Sequence, residues 1–155
     1  MKTLIVFFSR TNTTKKVAQT FAQKLNGETE EIKGIKNYSG PIGYLKAGRE
    51  AMKKISAKIE PAAKNPAGYD LVIIGTPIWS FNVASPVRAY LEQNKNNFKK
   101  TAFFCVMGGS GDKNAFAEME KISGQAPAST LTLLTKEVVA DKTEEKINEF
   151  LAKIK

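Results

Sequence analysis

The sequence predicts an α/β fold, a three-layer, doubly wound, five-stranded parallel sheet with strand order 2-1-3-4-5. Three observations carry this. The apolar runs Leu4–Phe8, Leu71–Ile74 and Ala102–Met107 lack the period-2 alternation of half-exposed strands, so each is covered on both faces. Stretches of helical period separate them, at the spacing that βαβ units with right-handed crossovers require. The strands beginning at Leu4, Leu71 and Ala102 are also the most apolar, and this order places them in the middle. Ligands of such sheets sit beyond the carboxyl ends of the strands, where the winding reverses between strands 1 and 3.

Strand 1 runs straight into Ser9-Arg10-Thr11-Asn12-Thr13-Thr14, and a helix follows with Val17, Phe21 and Leu25 on one face. Glu28–Lys33 alternates as a short second strand. Tyr38–Ile42 has turn chemistry in Ser39, Gly40 and Pro41. From Tyr44 onward, Leu45, Ala47, Gly48, Ala51, Met52, Ile55 and Ile59 trace one apolar helical face with cations opposite. Pro61–Gly68 is a loop. Asp70–Gly75 is the third strand, expected to end at Thr76-Pro77-Ile78-Trp79-Ser80-Phe81-Asn82. Ser85-Pro86 reads as a cap with proline at the first helical position, and Val87, Tyr90 and Leu91 face inward. Thr101–Met107 is the fourth strand and opens into Gly108-Gly109-Ser110-Gly111-Asp112. Ala115, Met119 and Ile122 stripe the next helix. Ser129–Leu134 is the last strand, and Asp141–Glu144 offers a capping-box start to a final helix carrying Ile147, Phe150, Leu151 and Ile154.

At 155 residues, with no linker or repeat, one domain spanning 1–155 is expected. No run reaches the ~18 apolar residues of a membrane span, and the first strand begins at once, so neither membrane insertion nor a signal peptide is expected. The only cysteine, Cys105, lies in an apolar run and fits inert core in a reducing cytoplasm. With no histidine, metal sites built on Cys and His are excluded, as is the usual general base. The net charge is +9, and Lys33, Lys36, Lys46, Arg49, Lys53, Lys54, Lys58 and Lys64 concentrate it against only Glu50 and Glu60. Such a face suits acidic proteins, phosphorylated cofactors or nucleic acid, and a merely solvated lysine face is the plainer alternative.

The three loops at the carboxyl edge suggest a ligand. A strand turning directly into a helix leaves the first helical amides free, and four hydroxyls crowd that turn at Ser9, Thr11, Thr13 and Thr14. A cap would need only one of them. The only tryptophan, Trp79, stands beside Pro77 and Phe81, which suits stacking on a flat ring; an indole folded beneath its own loop is the alternative. Gly108–Gly111 is nearly free of side chains, so its backbone can approach a ligand. Phosphate, aromatic ring and bare backbone together describe a phosphorylated planar heterocycle.

These motifs resemble the flavodoxin family over essentially the whole chain. Ser9–Thr14 is similar to the flavodoxin phosphate loop, with Asn12 where glycine is usual, and Gly75–Trp79 and Met107–Gly111 are similar to the two flavin-flanking loops. The resemblance implies the short-chain flavodoxin-like sheet and an FMN cofactor. Its phosphate would lie on Ser9, Arg10, Thr11, Asn12, Thr13 and Thr14. Its ring would lie against Thr76, Pro77, Ile78, Trp79, Ser80, Phe81 and Asn82, with Trp79 stacked. Its pyrimidine edge would meet Met107, Gly108, Gly109, Ser110, Gly111 and Asp112. Rival signatures are missing: there is no G-x-x-x-x-G-K-[ST] and no G-x-G-x-x-G after the first strand.

Three departures from the family matter. The chain is basic where flavodoxins are typically acidic. A second stacking aromatic is not evident in Met107–Asp112, although Phe116 or Tyr44 stand nearby in sequence or fold. Ser80 replaces the glycine that often follows the tryptophan. The leading expectation is a cytoplasmic electron carrier working between redox partner proteins with acidic docking faces, with no nucleic acid and no membrane. The alternative is an NAD(P)H-dependent FMN reductase acting on quinones or similar acceptors, with Arg10 or Arg49 receiving the dinucleotide's phosphates. A flavin-free regulatory module is the third, and the intact loops argue against it.

Overall fold

The computed structural model describes residues 1–155. Strands β1 (Thr3–Phe7), β2 (Glu28–Glu31), β3 (Leu71–Trp79), β5 (Thr101–Met107) and β6 (Thr130–Leu134) form a parallel sheet in the order β2-β1-β3-β5-β6. Counting these five in sequence, that is the expected 2-1-3-4-5. A two-residue strand, β4 (Asn82–Val83), turns back antiparallel on the end of β3, pairing Trp79 with Asn82. β1, β3 and β5 are fully buried along their apolar runs, whereas edge strand β2 is largely exposed.

Alternating side chains divide the core between the two faces of the sheet. Leu4, Val6, Val72, Ile74 and Phe103 point to the side packed by α2 (Gly40–Met52), α3 (Ser85–Gln93) and α4 (Asp112–Ser123). Ile5, Phe7, Leu71, Ile73, Ala102 and Phe104 point to the side packed by α1 (Thr13–Leu25), the short α5 (Thr135–Val139) and α6 (Glu144–Ile154). No helix is long and apolar enough to cross a membrane.

Four expectations about elements need correction. β3 does not stop at Gly75 but runs to Trp79, because its ladder with β5 continues through Pro77↔Val106 and the chain then folds back on itself. α2 begins at Gly40, where turn chemistry suggested an irregular stretch, and ends at Met52, so Ile55 and Ile59 are not on it. Ser85 does not cap α3; its hydroxyl is donated to Glu50 instead. The box at Asp141–Glu144 does not form either: Thr143 precedes α6 with no side-chain cap, and Asp141 pairs with Lys16.

Candidate functional site

The first loop starts where Phe8 donates its amide to Gly75 at 3.4 Å, leaving β1 beside β3. Asn12 then takes φ 69°, the left-handed region that asparagine tolerates better than most side chains. That explains an asparagine where glycine is usual. Its side chain caps nothing, and Ser9 alone among the loop hydroxyls is used internally, accepting from the Lys15 amide at 3.2 Å. The hydroxyls of Thr11, Thr13 and Thr14 and the amides of Thr13 and Thr14 have no partner within the protein. Nor does any carboxylate occupy the first turn. The plain capping role is therefore unfilled, and the positive end of α1 opens onto a cradle of donors. Arg10 lies over the Tyr44 ring, 5.3 Å from its centroid, which ties this loop to α2.

The second loop is built differently from expectation. Trp79 is 6% exposed and packs edge-on against Phe8 at 5.3 Å and tilted against Tyr38 at 5.2 Å. The indole is core, not an open platform, because the extended β3 carries it back over the sheet. Thr76 and Asn82 are buried as well. Thr76 donates to the Pro77 carbonyl at 2.7 Å and accepts from the Ala84 amide at 3.1 Å, while Asn82 donates to the Ser80 carbonyl at 3.1 Å. These three residues hold the hairpin in shape. What they present outward is Ser80 and Phe81, the latter 64% exposed, with Pro77 and Ile78 half-buried beside them. Both tip residues have positive φ, 46° and 64°, as a two-residue hairpin turn of type I′ demands.

The third loop closes on that tip. A Cβ on Gly111, whose φ is 109°, would lie 2.6 Å from the Phe81 Cα, so only glycine lets the two loops meet. Asn114 donates to the Phe81 carbonyl at 2.9 Å and to Asn82 Oδ1 at 2.7 Å. Gly108, Gly109 and Ser110 are exposed, and a Cβ on either glycine would meet nothing within 4 Å. Met107 is the buried last residue of β5, and Asp112 is engaged, accepting from Thr132 at 2.8 Å. Of the two candidate second aromatics, Tyr44 is 61% exposed beside Arg10, whereas Phe116 packs against the core.

Sequence reasoning missed the layer behind the hairpin. Glu50 is buried and accepts from Lys36 at 2.8 Å, Tyr38 at 2.6 Å and Ser85 at 2.7 Å. Burial would raise its carboxyl, but these bonds outweigh that and hold it below the ordinary range. Burial and the bond to Glu50 push the Tyr38 phenol up to about 12. The only signal was an acid at an inward helical position, which its polar type disguised. Asn114 gave no signal at all. Outside this layer, Lys36, Asn37, Lys46, Arg49, Glu50 and Ile55 line a cleft of about 450 Å³.

Fold and edge together define a doubly wound α/β protein with an anion cradle at the winding reversal. The flavodoxin family model matches residues 2–154, and the chain belongs to that family. Solved structures agree. A putative flavoprotein from Bacteroides uniformis is 26% identical, with a TM-score of 0.75 over 94% of this chain and 97% of its own. A flavoprotein from Lactobacillus acidophilus, in complex with FMN, is 23% identical, with a TM-score of 0.70 over 92% of this chain and 99% of its own. An NADH:FMN oxidoreductase in its apo form shares 14% identity and a TM-score of 0.57 over 99% of this chain and 87% of its own. No curated protein matches the chain in sequence. The donor set fits the FMN of this family: unpaired amides and hydroxyls for a phosphate, with exposed, unobstructed backbone at Gly108–Ser110 across the edge.

Proposed function

We propose that the protein is a cytoplasmic FMN-binding electron carrier that docks with acidic redox partner proteins. The observation that carries the cofactor is the uncapped start of α1, where the hydroxyls of Thr11, Thr13 and Thr14 and the first two amides lack partners, at the same sheet edge as the unobstructed glycine backbone after β5. When bound, the flavin accepts and passes on electrons. The chain's part is to hold the phosphate at Ser9–Thr14, to set the ring against Ser80, Phe81 and the Gly108–Gly111 backbone, and to offer Tyr44 as the exposed aromatic. Trp79 stiffens the hairpin from below. A buried, lone thiol is consistent with a reducing compartment.

Phosphate contacts should dominate affinity, since several charge-assisted hydrogen bonds converge on one dianion. Thr11→Ala and Thr14→Ala should each weaken FMN by about 1.5–3 kcal/mol, and riboflavin, which lacks the phosphate, far less. Titration of the apoprotein followed by flavin fluorescence measures both. Equal losses for the two ligands would mean that the loop does not hold phosphate.

A second reading, an NAD(P)H-dependent FMN reductase acting on quinones or similar acceptors, is favoured by the cation-lined cleft at Lys36, Lys46 and Arg49. Steady oxidation of NADPH by the pure FMN-loaded protein, faster than by free FMN, would select it over the carrier.

A further inference from the structure

Helix α2 is inside out. Its inward face is Gly43, Ala47, Glu50 and Ala51, while Ile42, Leu45 and Met52 are 71%, 70% and 63% exposed. These three stand at i, i+3 and i+10, with Arg49 at i+7, so they form one outward stripe along the helix. Lys46 and Lys53 flank it. Lys36 and Lys54 are in ion pairs with Glu50 and Glu118, but Lys46, Arg49 and Lys53 are in none. A solvated helix face would carry polar residues at the stripe positions. An apolar centre with a charged surround is instead the anatomy of a protein interface. The stripe also adjoins the flavin loops: a Cβ on Gly48 of the same helix would lie 3.0 Å from Ser80 Oγ.

We propose that the outer face of α2 is the docking surface for an acidic protein whose apolar contact patch is ringed by carboxylates. Ile42, Leu45 and Met52 form its centre, and Arg49, Lys46 and Lys53 set its register. Charge decides the occupant. A second copy of this chain would bring the same unpaired cations face to face on a molecule already at +9. A lipid surface would draw Arg49, which interrupts the stripe, into the apolar layer, whereas a protein can set a carboxylate against it. The surface is a physical claim about binding; only its purpose, electron delivery beside the flavin, rests on the carrier reading.

The test uses the FMN-loaded full chain and, as probe, an acidic [2Fe–2S] ferredoxin, reduced, with basic cytochrome c as the counter-probe. The reversal K46E/R49E/K53E should slow association with ferredoxin by about tenfold or more at low salt, and the difference should vanish by about 0.5 M salt. Leu45→Ser/Met52→Ser should leave the association rate alone and shorten the complex lifetime about tenfold, because apolar contacts act after encounter. FMN affinity should be unchanged in both variants, which shows that they fold. Four results overturn the proposal: rates and lifetimes unaltered in both variants, cytochrome c bound as well as ferredoxin, capture by phosphatidylserine vesicles, or a dimer abolished by the apolar substitutions. A wild type that fails to bind FMN but still captures ferredoxin would sink the carrier reading and leave the docking surface standing.

Discussion

At the scale of single residues, the hairpin tip stores strain. Neither Ser80 nor Phe81 is glycine, yet both sit at positive φ, a region that costs a Cβ-bearing residue roughly 1–2 kcal/mol. Asn82, Asn114 and the bare Cα of Gly111 clamp the turn and hold it there. Phe81→Gly should relieve that cost and raise the unfolding free energy by about 1 kcal/mol, less whatever the loss of backbone restriction in the unfolded chain takes back. A urea midpoint that falls in that variant would show that the phenyl ring contributes more than its backbone costs. The sequence offered Ser80 as the anomaly and hid Phe81, because a positive φ leaves no trace in residue type when the residue is not glycine or asparagine. Asn12 was legible for that same reason.

Among the elements, α2 is where pattern and structure diverge most. The expected apolar face is split: Ala47 and Ala51 turn inward and let the helix lie close on β3 and α3, Tyr44, Leu45 and Met52 face solvent, and a carboxylate takes the place of a core side chain. Periodicity reports that a helix has a face, not which neighbour claims it. The Glu50 cluster makes that packing testable. Removing Glu50 leaves the buried Tyr38 and Ser85 hydroxyls without their acceptor while the exposed Lys36 turns to solvent, so Glu50→Ala should cost about 1–3 kcal/mol. The sign with pH follows from direction. Glu50 is depressed in the fold, so its contribution is full above the ordinary carboxylate pKa and fades as pH falls through the folded value. Tyr38 is raised from 10 to about 12, so its contribution is full below pH 10 and fades between 10 and 12. Denaturation midpoints across pH should show both shoulders in the wild type; Glu50→Ala should lose the acid one and keep a smaller alkaline one, because burial, the larger cause, still raises Tyr38. An acid shoulder that persists unchanged in the variant would place its origin elsewhere.

For the molecule as a whole, the sheet was legible because doubly covered strands have few alternatives: Leu4–Phe8, Leu71–Ile74 and Ala102–Met107 could only be central. The unpartnered hydroxyls at the start of α1 were legible because their crowding exceeds what capping needs. The second loop was only partly so, for the fate of Trp79 turned on four further residues of β3 and a hairpin that no local signal announced. One consequence lies in the middle of this sheet. Cys105 is the only thiol, fully buried on β5 between β3 and β6, and burial pushes it up to about 12. Local fraying cannot reach it, so a thiol reagent has to wait for the central strands to part. Labelling by a disulfide reagent such as dithiobisnitrobenzoate should therefore be single-exponential and, at saturating reagent, should proceed at the global unfolding rate measured by fluorescence. Reaction faster than that would reveal an opening confined to the β5–β6 edge. The lone cysteine thus serves as a built-in clock for the lifetime of the native state.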